Sequence, residues 1–155
     1  MENISTNVTW AEATKSNTAI KRGIDNSPNE EQLANMKLVA ENVFQPLREH
    51  FGVAIGISSF FRGEELNKAI GGAKSSQHMS GHAMDIDADI YGKLTNKMIF
   101  DWIVENLEFD TIIWEFGTND EPAWVHVSYV EGGNRKRKLK AYKDANRKTQ
   151  YSYYG

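Results

Sequence analysis

Apolar residues recur at helical spacing between residues 33 and 47, which predicts one long amphipathic helix. We expect Ser27 to cap this helix, Pro28 to occupy its first position and Gly52 to end it. Pro46 lacks a backbone N–H, so the regular helix should kink or end near residues 42–45. The predicted core-facing stripe consists of Leu33, Met36, Val39, Ala40, Val43, Phe44 and Leu47.

Three shorter segments also have helical signals. Thr9 is a candidate cap for a helix that runs to Ser16. A second short helix is predicted from Glu64 to Ile70, where two glycines stop it. Thr95 should cap a third helix. One apolar face of that third helix is formed by Met98, Ile99, Trp102, Ile103 and Leu107.

Runs rich in β-branched and aromatic residues predict strands at 53–59, 109–114 and 124–129. The loop-forming sequence G-T-N-D-E-P (117–122) separates the second run from the third. The two runs should therefore form an antiparallel hairpin that brings Glu115 toward His126. The expected fold class is α+β, with helices on one face of a mainly antiparallel sheet and a metal site in a cleft on the other face.

The sequence S-S-Q-H-M-S-G-H-A-M-D-I-D (75–87) contains three strong candidates for metal ligands. If Gly81 forms a turn and the following residues are extended, His78 returns beside Asp85. A catalytic zinc site usually has three protein ligands. The chain has four histidines and no cysteine, and His126 lies in the alternating run W-V-H-V-S-Y, so His126 is the candidate third ligand.

These residues and their flanks resemble a known family, the zinc D-Ala-D-Ala carboxypeptidases and peptidoglycan endopeptidases. That family includes phage endolysins and shares its fold with the Hedgehog signalling domain. Its pattern, Ser-x-His-x-x-Gly-x-Ala-x-Asp followed by a later strand with a histidine, is complete here. Further similar segments are G-I-D-N-S-P, P-L-R-E, S-S-F-F-R-G-E-E-L-N-K-A-I-G-G and I-I-W-E-F-G, and the resemblance covers roughly Val8 to Tyr129. The pattern positions are Ser76, His78, Gly81, Ala83, Asp85 and His126.

The resemblance implies one zinc ion held by His78, Asp85 and His126. A hydrolase of this kind needs a carboxylate as general base. Many members place that acid three residues before the last histidine, where this chain has Ala123. Glu115, which ends the preceding strand as in the Hedgehog-type arrangement, is the preferred base. Its rivals are the pair Asp120 and Glu121 on the loop, and a purely structural role for Glu115 also stays open.

The resemblance also implies roles for residues near the expected cleft. Arg62 should interact with a substrate carboxylate or with negative charge that develops during the reaction. Ser76 and Gln77 are candidate substrate contacts. For His82, a role facing solvent or substrate is preferred over metal binding. Asp87 could accept a hydrogen bond from a ligand histidine or could simply be a surface carboxylate.

Length, composition and charge favour one metallopeptidase domain over residues 1–155, with a basic C-terminal segment at 134–155. The net charge is −3, yet residues 135–148 hold eight Lys or Arg against one Asp, a local charge of +7. This segment is either a solvated strand pair or a surface attracted to polyanionic cell-wall polymers. The acidic remainder argues against binding nucleic acid. Neither a secretory signal nor an apolar run long enough for a membrane span is found.

The expected function is cleavage of peptide bonds in the peptidoglycan stem peptide by a monomeric zinc peptidase. Such an enzyme would be an endolysin-like endopeptidase or a D-Ala-D-Ala carboxypeptidase, and sequence leaves that choice open. Without a leader, the protein is expected in the cytoplasm of the producing cell. It would then act on the cell wall after release, as a phage lysin does. The alternative is a non-catalytic zinc-binding module of the cell wall or virion, which the missing acid at Ala123 supports.

Overall fold

The computed structural model describes residues 2–154, which form an α+β domain with one six-stranded sheet. Six α-helices are described: α1 Trp10–Thr14, α2 Asn17–Arg22, α3 Glu30–Val39, α4 Gln45–Phe51, α5 Glu64–Ala69 and α6 Asn96–Asn106. A π-helical segment, Ala40–Phe44, joins α3 to α4, and a 3-10 turn spans Ala88–Ile90. The strands are β1 Gly56–Ser59, β2 Ala83–Asp87, β3 Thr111–Glu115, β4 Trp124–Ser128, β5 Arg137–Lys143 and β6 Thr149–Tyr153.

The long helix forms as the apolar pattern predicts, but its cap is different. Asn29, not Ser27, caps α3: its side chain accepts a hydrogen bond from the backbone N–H of Gln32, and the Gln32 side chain returns one to Asn29. This reciprocal capping box satisfies two N–H groups at the helix start, and Pro28 lies before the helix instead of inside it. Our assignment of the cap to Ser27 was wrong.

Pro46 produces the irregularity that its sequence position predicts. The π-helical segment ends two residues before Pro46, and the N–H of Gln45 donates to the carbonyl of Ala40, five residues earlier. Widening the turn relieves the clash between the proline ring and the preceding turn while the chain stays helical. The apolar stripe therefore continues into α4, where Leu47 is fully buried.

The sheet has the strand order β1-β2-β4-β3-β5-β6. Neighbouring strands are antiparallel except β3 and β5, which are parallel. The predicted hairpin of β3 and β4 is confirmed, with Glu115 opposite Trp124. The sheet is thus mixed, because the chain after β4 pairs with the far side of β3. The basic segment supplies β5 and β6, an antiparallel strand pair at one edge of the sheet.

The helices cover one face of the sheet, and the alternation of the strands decides which side chains they bury. Trp114 on β3 is fully buried, contacts Phe100 of α6 edge to face, and stacks on Tyr154 beyond β6. The residues of β2, β3 and β4 that face the helices are Met84, Ile86, Ile112, Trp114, Val125 and Val127. Residues of the opposite parity lie on the other face of the sheet, away from the helices, where the candidate metal centre is located.

Two elements differ from the sequence predictions. Helix α2 was not predicted; it is capped by Ser16 and ends at Gly23. Strand β1 is shorter than expected, starting at Gly56 instead of Val53. The partner strand β2 ends at Asp87, which lies opposite Gly56, so earlier residues have no strand to pair with. Within residues 2–154, the helices are too short or too polar to cross a membrane.

Candidate metal centre

Strand pairing brings Asp85 and His126 together on the open face of the sheet. They lie directly opposite each other on β2 and β4. His126 Nδ1 is 3.2 Å from Asp85 Oδ1. Both residues alternate with buried apolar neighbours, so both side chains leave the sheet on the side away from the helices.

The turn before β2 returns His78 to this pair. Gly81 has a φ of +83°, a left-handed conformation that favours glycine. A Cβ at this position would also collide with the backbone carbonyl of Gln32 on α3. His78 is 2% exposed, its Nδ1 lies 2.6 Å from the carbonyl oxygen of Phe60, and its Nε2 lies 3.3 Å from Asp85 Oδ1. Because a carbonyl only accepts, Nδ1 of His78 donates to Phe60, and Nε2 is the ring nitrogen that faces Asp85.

The donor set fits a divalent transition metal. One ligand atom from each of His78, Asp85 and His126 lies within 4.8 Å of the other two, and these three residues are called the metal group below. Two imidazole nitrogens and one carboxylate oxygen suit zinc and related ions. The Phe60 carbonyl fixes the His78 tautomer, the second contact that metal-binding histidines usually have. Burial opposes ionisation of Asp85, but the two histidines outweigh it and lower the pKa of the carboxyl below its usual range.

Glu115 lies at the end of β3 and lines the same cleft as this group. It is 8% exposed. Burial raises the pKa of Glu115 to about 7, with Asp85 adding to the rise, while His126, Arg62 and Lys143 oppose it. The carboxyl group can therefore gain or lose a proton near neutral pH.

Arg62 follows β1 and also lines the cleft. Its backbone N–H donates to the carbonyl of His78, and its Nη2 donates to Ser76 Oγ at 3.4 Å. Among residues 2–154, its buried Nε has no hydrogen-bond partner. Burial lowers the pKa of Arg62, against the charges of Asp85 and Glu115. The guanidinium thus keeps donor capacity that the protein itself does not use.

Ser76 and Gln77 line the cleft, and each has contacts that hold its loop in place. Ser76 Oγ accepts a hydrogen bond from the backbone N–H of His78 at 3.2 Å. Gln77 Nε2 donates to Asp110 Oδ2 at 3.1 Å. Ser76 therefore joins the Arg62 guanidinium to the loop that carries His78.

The two rival acids lie elsewhere. Glu121 Oε1 accepts hydrogen bonds from the N–H groups of Asn96 at 2.6 Å and Lys97 at 3.2 Å, so it caps the start of α6. The N–H of Asp120 donates to Thr118 Oγ1 in the exposed loop. Neither acid lines the cleft that contains Glu115 and Asp85.

His82 and Asp87, the other two candidates in residues 75–87, do not belong to the metal group. His82 is half-buried and its Nδ1 lies 2.6 Å from Ser80 Oγ; burial lowers the pKa of its ring. Asp87 shares the parity of Asp85, but its Oδ1 accepts from the Nδ2 of Asn96 and the N–H of Asp89. Asp87 therefore fixes the 3-10 turn and α6, and the suggestion that it accepts from a ligand histidine was wrong.

The cleft has a volume of about 460 Å³, and sequence reasoning missed part of its wall. Ile113 and Trp124 could have been found from strand alternation around the hairpin. Arg135, Arg137 and Tyr151 could not, because their place depends on the parallel pairing of β5 with β3 and on the pairing of β6 with β5. Tyr151 is 55% exposed, and the partial burial of its hydroxyl raises its pKa, with the charges of Glu115 and Asp85 adding to the rise.

The sequence matches the family model of peptidase M15 over residues 6–128. Comparison with curated proteins gives no match. The matched residues include α1 to α6 and β1 to β4, and with them His78, Asp85, Glu115 and His126. The match covers well over half of the chain and agrees with the motif resemblance, so this chain belongs to the peptidase M15 family.

Proposed function

We propose that this protein is a zinc metallopeptidase that cleaves peptide bonds in the stem peptide of peptidoglycan. Membership of the peptidase M15 family supports a metallopeptidase in general terms. The observation that carries the proposal is the position of Glu115, whose carboxyl group lines the same cleft as His78, Asp85 and His126. A metal-dependent hydrolase uses this combination of a metal site and an adjacent acid or base.

His78 Nε2, His126 Nδ1 and Asp85 would hold the ion, which fits their donor chemistry. A bound zinc ion would supply Lewis-acid chemistry, polarising the scissile carbonyl and making water a better nucleophile at neutral pH. Two histidines and one carboxylate also suit iron or cobalt, so metal identity is part of the proposal. Three protein ligands would leave a coordination position for water or substrate.

Glu115 is the proposed general base. Its carboxylate would take a proton from the attacking water and return it to the leaving amine. Burial raises the pKa of Glu115 toward neutral pH, which suits the group to both steps, and a bound cation would oppose that rise. Arg62 would stabilise negative charge on the substrate, since part of its guanidinium is unpaired and it lines the same cleft. Ser76 would orient this arginine, and Gln77 would hold the loop beside it.

The geometry favours an enzyme over a non-catalytic zinc module. The absence of an acid at position 123 is the argument for such a module. In the fold, Glu115 and Trp124 are paired across the β3–β4 hairpin, so an acid at the end of β3 lies beside the strand that carries His126. Because the proposed substrate is part of the cell wall, the protein would act there as a monomer after release. It would be an endolysin-like endopeptidase or a D-Ala-D-Ala carboxypeptidase.

Incubation of the zinc-loaded protein with purified muropeptides, followed by mass spectrometry, tests the proposal. Loss of a terminal residue would identify a carboxypeptidase, and cleavage inside the stem an endopeptidase. The matched controls are protein treated with a chelator and the Glu115→Gln variant. Intact muropeptides after incubation with fully loaded wild-type protein would contradict the proposal and favour the non-catalytic module.

A further inference from the structure

Strand β5 forms part of the cleft although it lies outside the residues that match the family model. It pairs in parallel with β3, and Arg137 is the register partner of Thr111. Thr111 has the same parity along β3 as Ile113 and Glu115, which both line the cleft. The first residue of β5 is therefore placed on the open face of the sheet.

The side chain of Arg137 is held on that face. Its Nε donates a hydrogen bond to Thr111 Oγ1 at 3.3 Å, and the side chain lines the cleft. Thr111 is 2% exposed, so the near end of the guanidinium is fixed against a buried hydroxyl. The two terminal nitrogens form the part of the fork that can bind a planar anion with two hydrogen bonds.

Arg135 lines the same wall but its charge is already compensated. Its Nε and Nη2 donate to the two carboxylate oxygens of the buried Asp110, at 2.9 and 2.8 Å. Arg137 differs: across residues 2–154, no carboxylate lies within ion-pairing distance of its guanidinium. Arg137 therefore adds positive charge to a cleft that also contains Arg62.

The strand register also fixes the position of the Arg137 charge relative to the metal group and Glu115. Ile113 is level with His126 across β3 and β4. Glu115 is two residues beyond Ile113 along β3, and Thr111, the partner of Arg137, is two residues before it. At a rise of about 3.3 Å per residue, Glu115 and Arg137 are offset by roughly 7 Å in opposite directions from the metal group. A peptide whose scissile bond lies at the level of His126, between Glu115 and Arg137, would carry the residue about two positions away to Arg137.

We propose that Arg137 is a specificity residue that binds a free carboxylate of the peptide substrate, on the side of the metal group away from Glu115. This inference rests on the proposed function, because it assumes that the cleft takes a peptide. The substrate class is a peptide with a free carboxylate about two residues from the scissile bond. Arg137 is not part of the proton transfer, so its loss weakens recognition and leaves the chemistry intact.

The test compares a synthetic stem peptide in which all carboxylates are free with versions in which one carboxylate at a time is a carboxamide. Binding is measured by calorimetry on the zinc-loaded Glu115→Gln variant, in which cleavage is expected to be too slow to disturb the measurement, with and without Arg137→Gln. Lys138→Gln is the matched control: it removes the same charge from the adjacent, exposed position of opposite parity. Thermal unfolding shows whether each variant is folded.

One carboxamide is expected to weaken binding by about 10-fold or more, the range of a charge-assisted hydrogen bond. Arg137→Gln should abolish this discrimination, Arg137→Lys should restore part of it, and Lys138→Gln should leave it unchanged. The inference is overturned if no carboxamide is discriminated, or if Arg137→Gln and Lys138→Gln weaken every peptide equally. Discrimination without any hydrolysis by the wild type would overturn the proposed function and leave the role of Arg137 standing.

Discussion

Asp85 and His126 are direct cross-strand neighbours on β2 and β4, and their side chains meet at 3.2 Å on the open face of the sheet. The pairing of these two strands therefore sets the geometry of two of the three proposed metal ligands. His78 reaches the same point from a turn, and its contact with the Phe60 carbonyl fixes the ring. Sheet register therefore determines the arrangement of the metal group.

The purified protein should bind about one zinc ion per chain, and the His78→Ala and Asp85→Ala variants should lose it, because two ligands hold a metal far less tightly than three. Metal analysis after dialysis is the measurement. His82→Ala is the control, since His82 contacts Ser80 outside the group, and it should retain the metal. Undiminished zinc in folded His78→Ala and Asp85→Ala proteins would rule out this ligand set.

Glu115→Gln should lower the rate of muropeptide cleavage by about 10² to 10⁴-fold while zinc stays bound, because an amide cannot accept a proton near neutral pH. Steady-state kinetics and metal analysis are the measurements. Asp120→Asn should cost little activity. Glu121→Gln should lower stability more than rate, because Glu121 caps α6. A fully active Glu115→Gln variant would mean that another residue is the base.

The raised pKa of Glu115 predicts a stability effect that does not depend on turnover. In the chelator-treated protein, the folded state holds the proton up to about pH 7, whereas the unfolded chain releases it near the ordinary value of 4.5. Ionised Glu115 therefore destabilises the fold as pH rises through this window. At each pH, the quantity to compare is the free energy of unfolding of Glu115→Gln minus that of wild type. This difference should be larger at pH 8 than at pH 4, by roughly 3 kcal/mol at most. Urea unfolding at both pH values is the measurement, and a pH-independent difference would contradict the burial argument.

Asp110 predicts the opposite dependence. The hydrogen bonds from Arg135, reinforced by Gln77, lower the pKa of Asp110 to about 2 although burial opposes ionisation. Its ionised form stabilises the fold above the unfolded pKa near 3.8, and that contribution is lost as pH falls toward 2. Asp110→Asn should reduce the free energy of unfolding at pH 7 by roughly 2 kcal/mol and have a smaller effect at pH 2. The exposed Glu131→Gln is the control for loss of one negative charge.

The basic segment predicts salt-sensitive attachment to cell walls. Lys138 lies on β5 and Lys148 directly precedes β6. Both lysines are exposed, although the two strands pair within the sheet. The double variant Lys138→Gln/Lys148→Gln should bind isolated walls more weakly than wild type at low salt and cleave soluble muropeptides normally. Pull-down of protein with walls across a salt series is the measurement. Binding that does not change with salt would leave the segment with a structural role only.

The sequence by itself determined the described α-helices except α2, the hairpin and the three metal-ligand candidates, because these depend on local rules. Helical spacing marks the apolar stripe and Gly81 permits the turn, whereas the position of Asp85 opposite His126 depends on the pairing of β2 with β4. Pro46 likewise marked the irregular turn that became a π-helical segment. These signals act within a few residues of the chain, so a single sequence reveals them.

Only the tertiary structure decided the cap at Asn29, the burial of Glu115 and the far wall of the cleft. The cap depends on which of two nearby polar residues finds a reciprocal partner. The burial of Glu115 separates it from Glu121, which has the same chemistry but caps a helix. Arg137 reaches the cleft because β5 pairs in parallel with β3, across a sequence separation of 26 residues. Strand pairing at that distance is set by the packing of the whole sheet, for which the periodicity of one segment contains no signal.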